Sequence, residues 1–231
     1  MNLCVLDDKT PEFPHPSSAA EEFDGLLAVG GNLDPTTLVA AYRQGIFPWY
    51  QGGDPILWWS PAQRCVLEPS EIHISNSLRR CLRRQNYQIT INKAFDRVIE
   101  ACAAPRDKDA GTWIIPSMIS AYNQLHQLGH AHSVEVWIDK QLVGGIYGLI
   151  VGAIFCGESM FSQRTNGSKI AMAHLCYWLQ DGGFTLLDCQ IRNPHLMRMG
   201  AKEIARETFL GELEAGLDHQ FNWPDVQPIQ W

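Results

Sequence analysis

The stretch IFCGESMFSQRTNGSK, residues 154–169, carries the chain from an apolar strand through a polar turn into a helix. The strand passes Gly157 and the lone acid Glu158 and continues through Ser159, Met160, Phe161 and Ser162. The helix reads as TNGSKIAMAHLCYWLQDGG, with Thr165 or Asn166 at the N-cap and Gly182-Gly183 as the stop. A second strand, FTLLDCQ (184–190), follows at once. Strand ends beside a helix start commonly hold a ligand's polar group. Taken alone, the same pattern also describes an ordinary strand-helix-strand core unit.

Upstream lies a meander. VEVWID, QLVGGIYGLI and AIFCGES read as three strands joined by tight turns at DK and VGA. Gly144, Gly145 and Gly148 lie inside a strand, where they mark a bulge or the close approach of another group. A helix precedes the meander, with Pro116 at its start and Gly129 at its end. Before it come the amphipathic helix KAFDRVIEACAA, the strand QITIN, a helix from about Ser75 and the strand RCVLEP. Downstream, NPHLMRMGAKEIAR gives a short helix ending at Gly200 and a final strand, and the tail from Gly211 reads as loop. Helix, three meander strands, helix, strand, short helix, strand is an α+β order with a central mixed sheet. It is the order of the acetyltransferase-like (GNAT) architecture. The pyrophosphate loop usual in that fold, Q/R-x-x-G-x-G/A, is reduced here to QRTNGSK with one glycine, which supports a coenzyme-A donor only weakly.

At the other end, residues 1–24 read as an irregular lead-in. GLLAVGGNLDPTTLVAAYRQG then gives a strand, a turn and a helix with Asp34 as cap, Pro35 at its first position and Gly45 at its end. The segment FPWYQGGDPILWWSP carries Trp49, Trp58 and Trp59, three of the eight tryptophans. Clustered tryptophan serves packing, and beside Gly and Pro in a loop it also serves as a stacking platform. A boundary falls near Ser60-Pro61.

Composition narrows the choices. A chain of 231 residues with 45% hydrophobic and 19% charged residues is an ordinary globular protein with a real core. No apolar run reaches membrane-spanning length, and the N-terminus lacks a basic region and an apolar segment, so a cytoplasmic location is expected. The seven cysteines are scattered without a C-x-x-C, which argues for reduced thiols. His126, His130 and His132 are split by Gly129, so no metal is expected from them. The formal charge of −7 argues against nucleic acid as a partner, but Arg79, Arg80, Arg83 and Arg84 share one helical face with no acid in the run. Such a face is a solvated surface or a phosphate contact.

Asp188 and Gln190 stand two apart on a strand and are expected to face one side. A carboxylate there can accept from the Gln190 amide and aim the amide oxygen at a donor, which suits holding an amine. No nucleophile elbow, Walker sequence or dinucleotide fingerprint is present; GGNLDP lacks the required glycine spacing.

GLLAVGGNLDP, QGIFPWY, DPILWWSP, GTWI, GHAHSVEVW, LVGGIYG, FCGESMFS, SK and LLDCQ, in this order and spacing, resemble the leucyl/phenylalanyl-tRNA–protein transferase family over about residues 20–205. The resemblance implies transfer of Leu, Phe or Met from aminoacyl-tRNA to the N-terminal Arg or Lys of an acceptor protein. The product enters N-end-rule degradation, and no cofactor, metal or membrane is involved. It implies a small N-terminal domain over residues 1–62 and an acetyltransferase-like, Fem-like domain over 63–231. Trp49 and Trp113 match the aromatic residues that hold the terminal adenosine. The aminoacyl pocket would be lined by Ile146, Phe155, Gly157, Met160, Met172, Leu175, Leu179 and Leu187. Glu158, Asp188 and Gln190 match the catalytic neighbourhood, and the arginine helix matches the basic patch for the tRNA acceptor stem. The chain departs from the common pattern with Ile146 for Met, Leu175 and Leu179 for Phe, and Asn76 where a basic residue can occur. Two other readings compete: a coenzyme-A-dependent N-acyltransferase on the same fold, and a non-catalytic RNA-binding module.

Overall fold

The protein is described from a computed structural model over residues 3–104 and 114–231. The N-terminal part contains β1 (Cys4–Leu6), β2 (Leu26–Gly30), α1 (Pro35–Tyr42), β3 (Phe47–Pro48) and β4 (Leu57–Trp59). Its strands form a sheet in the order β1-β2-β4-β3. The rest comprises β5 (Gln63–Leu67), α2 (Asn76–Arg84), β6 (Gln88–Ile91), α3 (Phe95–Ala103), α4 (Pro116–Gln127), β7 (Ala131–Ile138), β8 (Gln141–Val151), β9 (Ile154–Ser162), α5 (Gly167–Asp181), β10 (Leu186–Gln190), α6 (Pro194–Met197), β11 (Lys202–Ala205) and α7 (Arg206–Gly216). These strands form a second sheet in the order β11-β5-β10-β9-β8-β7-β6.

Within that larger sheet β9 and β10 are parallel and the other neighbours are antiparallel. The mixed sheet expected from the element order is therefore present. Helices α3 and α4 cover one face, where Phe95, Val98, Tyr122, Leu125 and Tyr147 join a buried cluster that continues to Leu38, Tyr42 and Trp58. Helices α2 and α5 cover the other face. Alternation along the strands sends Ile146 to one face and Tyr147 to the other.

The glycines inside β8 have a steric cause. A Cβ at Gly144 would lie 2.4 Å from the main chain of Gly167, so α5 begins directly on β8. Its N-cap is Asn166 with φ +69°, yet no cap bond comes from that side chain. Ser162 Oγ instead accepts the Ser168 amide at 2.7 Å.

Two expectations from the sequence need correction. The lead-in contains β1, a three-residue strand pairing parallel with β2. It is too short to show periodicity. The stretch read as loop from Gly211 belongs in its first part to α7. Phe209 and Leu213 are buried one turn apart on that helix, and Gly211 and Gly216 masked the pattern.

Candidate active site

Strands β9 and β10 pair only from Ile154 to Cys156 and from Leu186 to Asp188. Each then carries a register shift. Along β9, Gly157 faces Gly148 and Ser159 faces Tyr147, so Glu158 is the extra residue. Along β10, Asp188 faces Val66 and Gln190 faces Cys65, so Cys189 is the extra one. Bulges re-aim side chains and end pairing. Here they turn Glu158 and Gln190 toward each other where the parallel pair stops, and Gln190 Nε2 donates to Glu158 Oε1 at 2.6 Å. Gln190 sits at φ +62°, a left-handed conformation that a non-glycine residue holds at some cost. Its main-chain N–H donates to Asp188 Oδ1 at 2.9 Å, which holds that conformation.

Glu158 is a buried hub. Tyr42 donates to its Oε1 at 2.6 Å and Tyr122 to its Oε2 at 3.0 Å, and the two phenol oxygens lie 2.5 Å apart. Burial pushes the Glu158 carboxyl up to about 7, although its phenol and amide donors pull the other way. Burial, then the Glu158 charge, lifts Tyr42 and Tyr122 well above the usual tyrosine value, so both stay phenols. The Tyr147 hydroxyl is buried next to this network, with the Tyr147 ring edge-on to Tyr122, and has no hydrogen-bond partner among the described residues.

Asp188 is wholly buried and paired with Arg64, whose Nε and a terminal nitrogen reach its two oxygens at 2.8 and 2.7 Å. The other terminal nitrogen of Arg64 donates to the Gly45 carbonyl at 3.1 Å. The guanidinium lies between Phe47 and Phe209, 4.8 and 4.5 Å from their ring centres. The expected hydrogen bond from the Gln190 side-chain amide to Asp188 is not the one formed. Asp188 takes the main-chain N–H, and the side-chain amide goes to Glu158. The bulge at Cys189 breaks the two-residue repeat on which that expectation rests.

The apolar candidates come together. Ile146, Phe155, Met172, Leu175, Leu179 and Leu187 share one buried cluster beneath α5, with Met160 packed against it. Gly157 borders it: a Cβ there would meet Asp188 O at 3.5 Å and Leu187 Cδ2 at 3.8 Å, both ordinary contacts. The tryptophan segment divides. Trp58 is core, donating to Gly30 O, whereas Trp49 is 42% exposed and edge-on to Trp59. Trp113 lies outside the described residues. Arg79, Arg80, Arg83 and Arg84 are exposed on α2, and Arg83 Nε donates to the main-chain oxygen of Trp231 at 2.7 Å.

Sequence reasoning missed Tyr42, Tyr122, Tyr147 and Arg64. Each looks like a core residue or a lone charge until the fold assembles the site: Tyr42 reaches Glu158 across 116 residues, Arg64 reaches Asp188 across 124, and Tyr122 reaches Glu158 across 36. The one available signal was Arg64 leading the apolar run Cys65–Leu67 of its strand.

Comparison with known proteins follows the same lines. A family model described as leucyl/phenylalanyl-tRNA protein transferase matches residues 66–214, and one for the N-terminal domain of that family matches residues 31–62. The chain is 53% identical to the leucyl/phenylalanyl-tRNA–protein transferase of Azoarcus sp. (strain BH72), over 88% of this chain and 87% of that one. It is 55% identical to the transferase of Pseudomonas paraeruginosa (strain DSM 24068 / PA7), over 92% of this chain and 94% of that one. Among solved structures, the crystal structure of FemX superposes with a TM-score of 0.50 at 10% identity, covering 73% of this chain and 66% of that chain, a likeness of fold alone. With family models matching residues 31–62 and 66–214 and relatives matching along most of its length, the chain belongs to the leucyl/phenylalanyl-tRNA–protein transferase family.

Proposed function

We propose that this chain moves leucine, phenylalanine or methionine from aminoacyl-tRNA to the N-terminal Arg or Lys of an acceptor protein, marking it for degradation in the cytoplasm. The observation that carries this reading is the Glu158–Gln190 bridge where β9 and β10 part, beside an apolar cluster. An aminoacyl ester is already activated, so the protein's task is to hold ester and amine together. The acceptor α-amine, with a pKa near ~7.7–8.0, attacks as its neutral form. The peptide C–N bond forms, the ester C–O bond to the ribose breaks, the amine loses a proton and the ribose oxygen gains one.

Gln190 donates its Nε2 to Glu158, which leaves Oε1 to accept from the attacking amine. Asp188 and Arg64 set the backbone that carries Gln190. Trp49, with Trp113, stacks on the terminal adenine. The cluster around Ile146, Phe155, Met160, Met172, Leu175, Leu179 and Leu187 takes the aminoacyl side chain. Apolar pockets separate neighbours by a methylene only weakly, about 1–3 kcal/mol, which suits a donor range of several apolar residues.

The direct test supplies leucyl-tRNA and an Arg-initiated peptide, with acetyl-coenzyme A in a parallel reaction. Labelled leucine in the peptide supports the reading. Transfer from acetyl-coenzyme A alone would assign the coenzyme-dependent alternative, and tRNA binding without transfer the binding module.

Two further results are expected. Gly157→Ala should melt at or above the unmodified protein, because the methyl finds ordinary contacts and strand glycine is unfavourable by roughly 0.5–1 kcal/mol. Transfer should nevertheless fall about tenfold, since the methyl enters the space for the aminoacyl group. Wild-type transfer by this variant would remove Gly157 from the pocket. Changing Arg79 and Arg80 to Ala should weaken tRNA binding and lower its salt slope by about one per lost phosphate contact. An unchanged slope would make that face mere solvated surface.

A further inference from the structure

Away from Glu158, a cavity of about 290 Å³ opens between the start of α2, the first turn of α5 and α6. His73, Lys169, His195 and Arg198 line it, together with Ser75 and Leu78, and no carboxylate does. Lys169 is half-buried, and neither its side chain nor that of Arg198 makes a hydrogen bond or ion pair among the described residues. Two unpaired cations and two histidines around one hollow stand out in a chain of net charge −7. Concave, cationic and free of acids, the hollow suits an anion with several acceptor oxygens. Its volume lies near the lower end of small-ligand sites, roughly 300–1,000 Å³, enough for a phosphate with part of its sugar.

Its position narrows the ligand further. Lys169 lies in the first turn of the helix that follows β9, and Arg198 caps the short helix that follows β10. The cavity is therefore bordered by the continuations of the two strands that carry Glu158 and Gln190. On its other side, Leu78 is followed directly by Arg79 and Arg80. The hollow is thus lined by the helix that carries the exposed arginines and by the two helices that follow the split strands.

Resting on the aminoacyl-tRNA reading above, we propose that this cavity seats a backbone phosphate of the donor RNA between its acceptor stem and its aminoacylated end. Lys169 and Arg198 supply the charge and the histidines further donors. The site is a docking point on the path to the reaction centre and takes no part in bond making.

The test compares the unmodified protein with Lys169→Gln/Arg198→Gln, which removes two charges that have no side-chain partner among the described residues, so its thermal melt should match the unmodified protein. As a control, Arg192→Gln removes an exposed arginine that is paired with Glu203 and does not line the cavity. Binding of leucyl-tRNA by the double variant should weaken about tenfold, and its salt slope should drop by about one. Transfer from leucyl-adenosine, which carries no phosphate, should be unchanged, and the control variant should bind like the unmodified protein. Millimolar inorganic phosphate should compete with leucyl-tRNA for the unmodified protein more than for the double variant. Unchanged affinity and slope in the double variant would overturn the inference. So would loss of phosphate binding alone with tRNA binding intact, which would make the cavity a free-anion site. Absence of transfer by the unmodified protein would instead strike the functional reading, so the two failures are distinguishable.

Discussion

Replacing Asp188 with alanine is expected to destabilise the protein by roughly 3–5 kcal/mol, because it strands the buried Arg64 guanidinium without a counter-charge. Both Asp188 oxygens lie on Arg64 nitrogens, and one also accepts the Gln190 main-chain N–H. Losing the carboxylate therefore also frees the left-handed Gln190 backbone. Asp188→Asn should suffer nearly as much, since a neutral amide opposes the guanidinium donor to donor. The compensating pair Arg64→Met/Asp188→Leu should recover much of the stability, as replaced buried ion pairs often do. It should not recover transfer, because nothing then holds Gln190 in place. Denaturant midpoints and single-turnover transfer, measured on the same four proteins, separate these effects. An Asp188→Ala protein as stable as the unmodified one but inactive would instead give Asp188 a chemical role.

The second large effect belongs to Glu158. At pH 8 its carboxylate accepts from Tyr42, Tyr122 and Gln190, and every donor is matched. Glu158→Gln places an amide among those donors. Gln190 can then be satisfied by turning its own amide over, which presents NH₂ where the attacking amine needs an acceptor. Transfer should fall on the order of a hundredfold. The pH dependence should change as well. With the Glu158 carboxyl held up to about 7 by burial, acid protonates it and produces the same mismatch. The unmodified enzyme then needs two deprotonations, of Glu158 and of the acceptor amine. Its log rate should rise with a slope approaching two below pH 7, and that of the variant with a slope of one.

Stability offers an independent reading of the same group. The folded chain keeps the Glu158 proton up to about 7, whereas an unfolded carboxyl releases it near 4.5. Between those values the folded state binds more protons, so stability falls as pH rises through the window. The loss is on the order of 3 kcal/mol and is complete above about 7. Glu158→Gln should lose this slope. A variant that keeps both the steep rate profile and the stability slope would place the titration elsewhere.

Local pattern carried much of this architecture. The meander, the long α5 and the strand after it follow from apolar runs, turn residues and glycines, because those elements close over short distances. The apolar residues of the α5 face were named through the family resemblance rather than by local pattern, and they share one buried cluster. What escaped was set by single-residue irregularities and by distant partners. A bulge at Glu158 or Cys189 leaves no mark on a hydrophobic pattern, yet it decides which way Glu158 and Gln190 turn. Tyr42 and Tyr122 sit at helical positions indistinguishable from packing, and only their hydroxyls on Glu158 give them another role. α7 was hidden by its glycines, and with it the Phe209 ring on Arg64.

The separations involved bear on how the molecule is made. Arg64 meets Asp188 across 124 residues, and Tyr42 meets Glu158 across 116. The hairpin of β7 and β8, by contrast, closes through a tight turn at Asp139 and Lys140. Long-range closure costs chain entropy before its contacts return any, so the meander is expected to form early and the tyrosine–carboxylate constellation late. During synthesis, β10 and α7 leave the ribosome after the meander. A nascent chain would already hold much of its sheet while lacking Asp188, Gln190 and the ring of Phe209. Competence for transfer is thus expected to arrive in one late step, and a partly made chain would have no working centre to turn on the cell's charged tRNA.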